Sequence, residues 1–139
     1  MVQLIVGEKG KGKTKHLLDK VNTEVKNVSG NIVYLDKSAK HMYELNNKVR
    51  LIDVSDYFIN SSNEFLGYIA GIISQDHDLQ QMYFDGFLAM SGTTLEEFPA
   101  AVEKLEKYSN KFGVDFILSI SVSEKELPET LKSKIIVSL

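Results

Sequence analysis

The chain contains no cysteine, so neither a disulfide framework nor a thiolate metal site is available to it. Arginine occurs once, at Arg50, and proline twice, at Pro99 and Pro128, both at or near the starts of predicted elements. No apolar run approaches the roughly 18 residues that a membrane helix needs. The N-terminus enters a strand-like run directly, without a signal-peptide pattern, so a cytoplasmic protein is expected. Net charge is −3, which gives no general attraction to nucleic acid. Repeats, low-complexity segments and linkers are absent. At 139 residues, with 43% apolar and 25% charged side chains, residues 1–139 are expected to form one domain with a substantial core.

What is present is an alternation of strand and helix signals. Val2–Val6 (VQLIV) is a short apolar run that reads as a buried strand. Leu17, Leu18, Val21, Val25 and Val28 recur at helical spacing, and the pattern stops at Ser29-Gly30. Asn31–Leu35 and Gln80–Phe84 read as strands, closed by Asp36-Lys37 and Asp85-Gly86, and Val49–Val54 as a further extended piece. Ser61 with Glu64, and Thr94 with Glu97, have capping-box spacing ahead of apolar helical stripes. Val114–Val122 and Lys134–Ser138 complete the strands. Within Val114–Val122 the two-residue period sets Ser119, Ser121 and Ser123 on one face. This order predicts a three-layer α/β/α sandwich around a mostly parallel sheet, with ligands beyond the carboxyl ends of its strands.

Between the first strand and the first helix lie Gly7-Glu8-Lys9-Gly10-Lys11-Gly12-Lys13-Thr14, followed by Lys15. Glycines let successive backbone N–H groups line an anion cavity, and a helix starting near Lys13 adds the positive end of its dipole. The segment fits G-x-x-x-x-G-K-[ST] completely and resembles the phosphate-binding loop of P-loop NTPases. The resemblance implies that Gly7–Lys15 contacts the phosphates of a nucleotide, ATP or ADP. Lys13 would meet the β- and γ-phosphates catalytically, and Thr14 would hold Mg²⁺. Lys9 and Lys11 either touch phosphate or are solvated loop charges.

P-loop proteins carry an aspartate at the end of a later apolar strand that holds Mg²⁺ through water. Asp85 resembles that residue; the plainer alternative is a turn aspartate beside Gly86. Relatives in the ASCE division, which includes the RecA-like folds, often place a catalytic glutamate directly after it, where this chain has Gly86. RecA-like members put that glutamate at the end of the second strand instead, the place of Asp36. Asp36 is therefore either a general base for the attacking water or a turn former. Ser119 and Ser121 are placed like the polar γ-phosphate sensor of the fourth core strand.

The division's strand order, 5-1-4-3-2, would put Val114–Val122 between the loop strand and the Asp85 strand. The partition-ATPase division is excluded at its defining lysine, where Glu8 stands. Ras-type guanine recognition is disfavoured because Asn110-Lys111-Phe112-Gly113 lacks the N-K-x-D aspartate. Small-molecule kinases clamp phosphate with several arginines, and only Arg50 is present. The chain also resembles small bacterial P-loop proteins labelled PilT-like. The expectation is a compact Mg-ATP-binding protein, either a slow ATPase working with a homo-oligomeric or protein partner or a non-hydrolysing switch. His16, His41 and His77 have no metal-ligand spacing and are expected to be surface or helix residues.

Overall fold

The structure, a computed structural model, describes residues 1–139. In chain order its strands are β1 (Val2–Val6), β2 (Asn31–Asp36), β3 (Val49–Asp53), β4 (Leu79–Phe84), β5 (Asp115–Ile120) and β6 (Ile135–Ser138). Its helices are α1 (Lys13–Glu24), α2 (Ser62–Ser74), α3 (Phe87–Ser91), α4 (Phe98–Phe112) and α5 (Glu129–Lys132). The six strands form one sheet in the order β3-β2-β4-β5-β1-β6, and every pairing is parallel.

Five strands keep the expected order: β6, β1, β5, β4 and β2. The sheet is parallel as expected, in all of its pairings, and one feature corrects the expected order: the Val49–Asp53 piece adds a sixth strand outside β2. β5 pairs with both β1 and β4, so the strand leading to Asp85 does not touch the strand leading to the glycine loop.

Alternation along the strands divides the core unequally. Leu4, Val6, Val33, Leu35, Met82, Phe84, Phe116 and Leu118 face one side, where they meet α2, α3, α4 and α5 in a cluster of 26 buried residues. Ile5, Ile32, Tyr34, Val49, Tyr83 and Ile117 face the other, where Leu17, Leu18 and Val21 of α1 complete a cluster of only nine. α1 is thus the only helix on its face. It ends at Glu24, earlier than the apolar spacing predicts. Val25 and Val28 continue as turns, hydrogen-bonded back to Val21 and Glu24 and packed against the smaller cluster.

The predicted caps form with altered detail. The Glu64 N–H donates to Ser61 Oγ at 3.1 Å, while Glu64 Oε1 accepts from the N–H of Asn60 rather than that of Ser61. Thr94 and Glu97 bond reciprocally, and their box closes the turn that precedes α4.

Candidate functional site at the carboxyl edge of the sheet

Strand parity assembles the site. Asp36 follows Ile32 and Tyr34 at two-residue steps, Ser119 follows Ile117, and Asp85 follows Tyr83. All three therefore belong to the α1 face of the sheet. The Asp85 N–H donates to Leu35 O at 2.9 Å, which keeps Asp85 in the ladder one residue past β4. Hydrophobic alternation thus delivers two carboxylates and a hydroxyl to one sheet edge, the edge where α1 begins.

The Gly7–Thr14 loop brings the start of α1 to them. Gly12 has φ 95°, a left-handed conformation that glycine adopts without the steric cost of a Cβ, and it is the residue from which α1 starts. Lys13 is buried at the first helical position and its Nζ donates to the Glu8 carbonyl at 3.1 Å. Burial lowers the Lys13 pKa, and the negative charge of Asp85 pulls the other way. The Thr14 hydroxyl donates to Asp85 Oδ1 at 3.1 Å. A cavity of about 210 Å³ opens here, lined by Lys9, Gly10, Gly12, Lys13, Thr14, Asp85, Gly86, Ser119 and Ser121, none of them apolar.

Asp85 is the hub. The Tyr34 hydroxyl donates to its Oδ2 at 3.0 Å. Burial and then the Asp85 charge hold the Tyr34 pKa far above its ordinary range, so the phenol keeps its proton and remains a donor. The ring stacks on Tyr83, with centroids 6.3 Å apart, within the smaller core. Asp36 is 7% exposed. Its Oδ1 accepts the Lys37 N–H at 2.7 Å, and its Oδ2 is buried with no hydrogen-bond partner. Burial first, and then the nearby Asp85 charge, push the Asp36 pKa upward.

The remaining expected site residues divide. Ser119 is buried, and its Oγ accepts the Gly86 N–H at 2.8 Å. Ser121 lies past the end of β5, exposed, on the cavity rim. Lys9 lines the cavity. Lys11 and Glu8 are exposed and do not line it, although the Glu8 carbonyl holds Lys13. Lys15 lies on the opposite flank, in a groove of about 500 Å³ with Thr14, Asp19, Asn22, His41 and Glu44. Gly86 has φ 85° where α3 starts, so the position after Asp85 serves a backbone turn that a glutamate would strain.

Two residues change standing. His16 and His77 are exposed, as expected, but His41 is not isolated. Asp36, His41 and Asp85 each present one ligand atom, and the three atoms lie within 4.8 Å of one another. Tyr34, read from the sequence only as strand core, reaches Asp85. No spacing rule finds His41, because the loop after β2, not a helix or strand period, carries it there. Arg50 lies near the start of the outermost strand, paired with Val33, three residues before the Asp36 level of the sheet. At about 3.3 Å per residue that is ~10 Å short of the site edge.

The residues fit a magnesium phosphate on chemical grounds. A threonine hydroxyl and a carboxylate already converge, with an ammonium group and glycine backbone beside them. No family model matches the chain, and no curated protein is significantly similar to it. No helix is long and apolar enough to cross a membrane.

Proposed function

We propose that this protein binds Mg-ATP at the Gly7–Thr14 loop and turns it over slowly, acting through a nucleotide-dependent conformational or assembly cycle. The observation that carries the reading is the Thr14–Asp85 hydrogen bond at the mouth of a polar cavity shared with Lys13. When bound, magnesium would offset phosphate charge and polarise the phosphoryl oxygens.

Each side chain has a role in this reading. Lys13 releases the Glu8 carbonyl and neutralises the β- and γ-phosphates. Thr14 and Asp85 would hold the ion, with Tyr34 fixing the orientation of the Asp85 carboxylate. Asp36, its proton affinity raised by burial and by Asp85, orients the attacking water as general base. Ser119 acts through the Gly86 N–H it holds, and Ser121 stands at the rim. The cavity is too small for a whole nucleoside triphosphate, so the base lies outside it. With no N-K-x-D motif, ATP is preferred to GTP, which competition titration reads directly.

Calorimetric titration of wild type and Lys13→Ala with Mg-ATP and Mg-ADP tests the proposal. Wild type binds with a magnesium requirement and Lys13→Ala does not. Equal heats from both proteins would remove the loop from the mechanism. A non-hydrolysing binding switch is the second reading. It is favoured by the glycine after Asp85 and by the distance of Arg50 from the site. Single-turnover phosphate release separates the two.

A further inference from the structure

We propose that Asp36, His41 and Asp85 bind a divalent transition-metal ion directly, at a position separate from the Thr14-centred magnesium site. The inference shares Asp36 and Asp85 with the nucleotide reading but does not rest on it, because it is argued from the positions of the three ligands alone.

The geometry is that of a small cation site. Ligand atoms from the three residues lie within 4.8 Å of one another. Ligands of a tetrahedral ion at ~2.1 Å stand ~3.4 Å apart, so closure draws the three side chains together by about an ångström. The independent observation is Asp36 Oδ2, an oxygen out of contact with water and without any donor, on a side chain only 7% exposed. A buried carboxylate oxygen left without a partner is costly, and a cation beside it is the remedy.

The surroundings orient all three ligands. His41 Nδ1 and Glu44 Oε1 are 3.1 Å apart, so the Nδ1 proton goes to Glu44 and Nε2 is left with its lone pair. Tyr34 fixes Asp85 through Oδ2, and the Lys37 N–H fixes Asp36 through Oδ1. The loop carrying His41 is itself pinned to α1. Asn22 Nδ2 donates to the Glu44 carbonyl at 2.8 Å, and Asn22 Oδ1 accepts the Asn46 N–H at 2.9 Å. Carboxylate–imidazole–metal arrangements owe much of their affinity to such supports.

The donor set selects the metal class. Magnesium favours oxygen ligands and retained waters, whereas one imidazole with two carboxylates suits Mn²⁺, Fe²⁺, Co²⁺ or Zn²⁺. The site would thus distinguish the metal at Asp36 from the magnesium that accompanies a nucleotide.

Cobalt titration of the untagged, nucleotide-free protein tests this, read by the visible d–d bands and by calorimetry. Wild type takes up one equivalent of Co²⁺, and a tenfold excess of Mg²⁺ does not displace it. His41→Ala and Asp36→Asn each weaken binding at least tenfold, and Glu44→Gln weakens it severalfold; far-ultraviolet circular dichroism confirms that each is folded. Lys13→Ala, which removes a positive charge beside Asp85, binds cobalt at least as tightly as wild type while losing Mg-ATP. Failure of wild type to bind ATP without cobalt would count against the nucleotide reading alone. Absence of cobalt bands in wild type, equal cobalt affinity in His41→Ala, or loss of cobalt in Lys13→Ala would each overturn the metal site.

Discussion

The Tyr34 hydroxyl donates to Asp85 Oδ2 at 3.0 Å, tying a side chain of the hydrophobic core to the most connected carboxylate of the site. The aromatic ring is fully buried and stacked on Tyr83, so its position is set by packing and the hydroxyl is delivered ready-oriented. Tyr34→Phe keeps the stack and deletes the donor. The expected loss is ~2 kcal/mol, typical of a hydrogen bond to a charged group, in urea unfolding at neutral pH. A Tyr34→Phe variant as stable as wild type would show that Asp85 gains nothing from the phenol.

The two carboxylates are predicted to separate in their kinetics. Asp85→Asn raises the Mg²⁺ needed for half-maximal ATP binding about tenfold, equivalent to ~1.4 kcal/mol. Asp36→Asn leaves ATP affinity nearly intact and lowers turnover by ~10²-fold, the lower range for loss of a general base. Steady-state phosphate release alongside equilibrium binding measures both. Wild-type turnover in Asp36→Asn would reduce Asp36 to a turn residue in the nucleotide chemistry.

A charged clamp far from the site ties the first strand to the rest. Glu106 Oε1 accepts the Val2 N–H at 2.9 Å and the Lys134 ammonium at 2.8 Å. Burial opposes the charged carboxylate, but Lys134 and the Val2 N–H prevail and hold its pKa below the usual glutamate value. A carboxyl depressed on folding contributes its full stability above the unfolded-state pKa and loses it as pH falls through the folded value. Glu106→Gln is therefore less stable than wild type by ~1 kcal/mol at pH 7, and the gap closes below about pH 4. Thermal unfolding of both proteins across pH 3–7 reads the convergence. A gap that persists unchanged at pH 3 would mean that the glutamate charge is irrelevant to it.

Arg50 stands exposed in β3, the outermost strand of the sheet, with exposed Tyr43 and Tyr57 in the turns on either side of that strand. A long cation on a free strand edge opposes pairing with another chain. Arg50→Val, which also raises strand propensity, is expected to self-associate with increasing concentration in sedimentation velocity. A variant that remains monomeric throughout would leave the edge protected by other means.

How much of this was readable in advance differs from residue to residue. The glycine loop was legible because its φ requirements and its charge both lie within a few consecutive positions. Asp85 was legible because a carboxylate ending a buried strand has few other places to go, and the position of β5 followed from its polar alternation. β3 was harder: only Val49 of its five residues is buried, and an edge strand lacks the apolar density of its neighbours. The early end of α1 was concealed by Val25 and Val28, which pack against the core from turns instead of from the helix. His41 was invisible for a topological reason. It lies five residues from Asp36 but 44 from Asp85, and only the crossing of β2 beside β4 turns those separations into a cluster.

The unequal division of the core has a mechanical consequence. The helix that starts from the glycine loop is also the only α-helix over its face of the sheet, part of a nine-residue cluster, whereas the opposite face is held by four helices. Local opening is least costly where the least apolar surface is exposed by it. Detaching α1 would leave the larger cluster whole while dismantling the loop, the Thr14–Asp85 contact and the Asn22 anchor of the His41 turn in one event. Order at this edge and occupancy of this edge are then a single equilibrium, and a ligand that settles here also acts as the fastener of the molecule's thinner side.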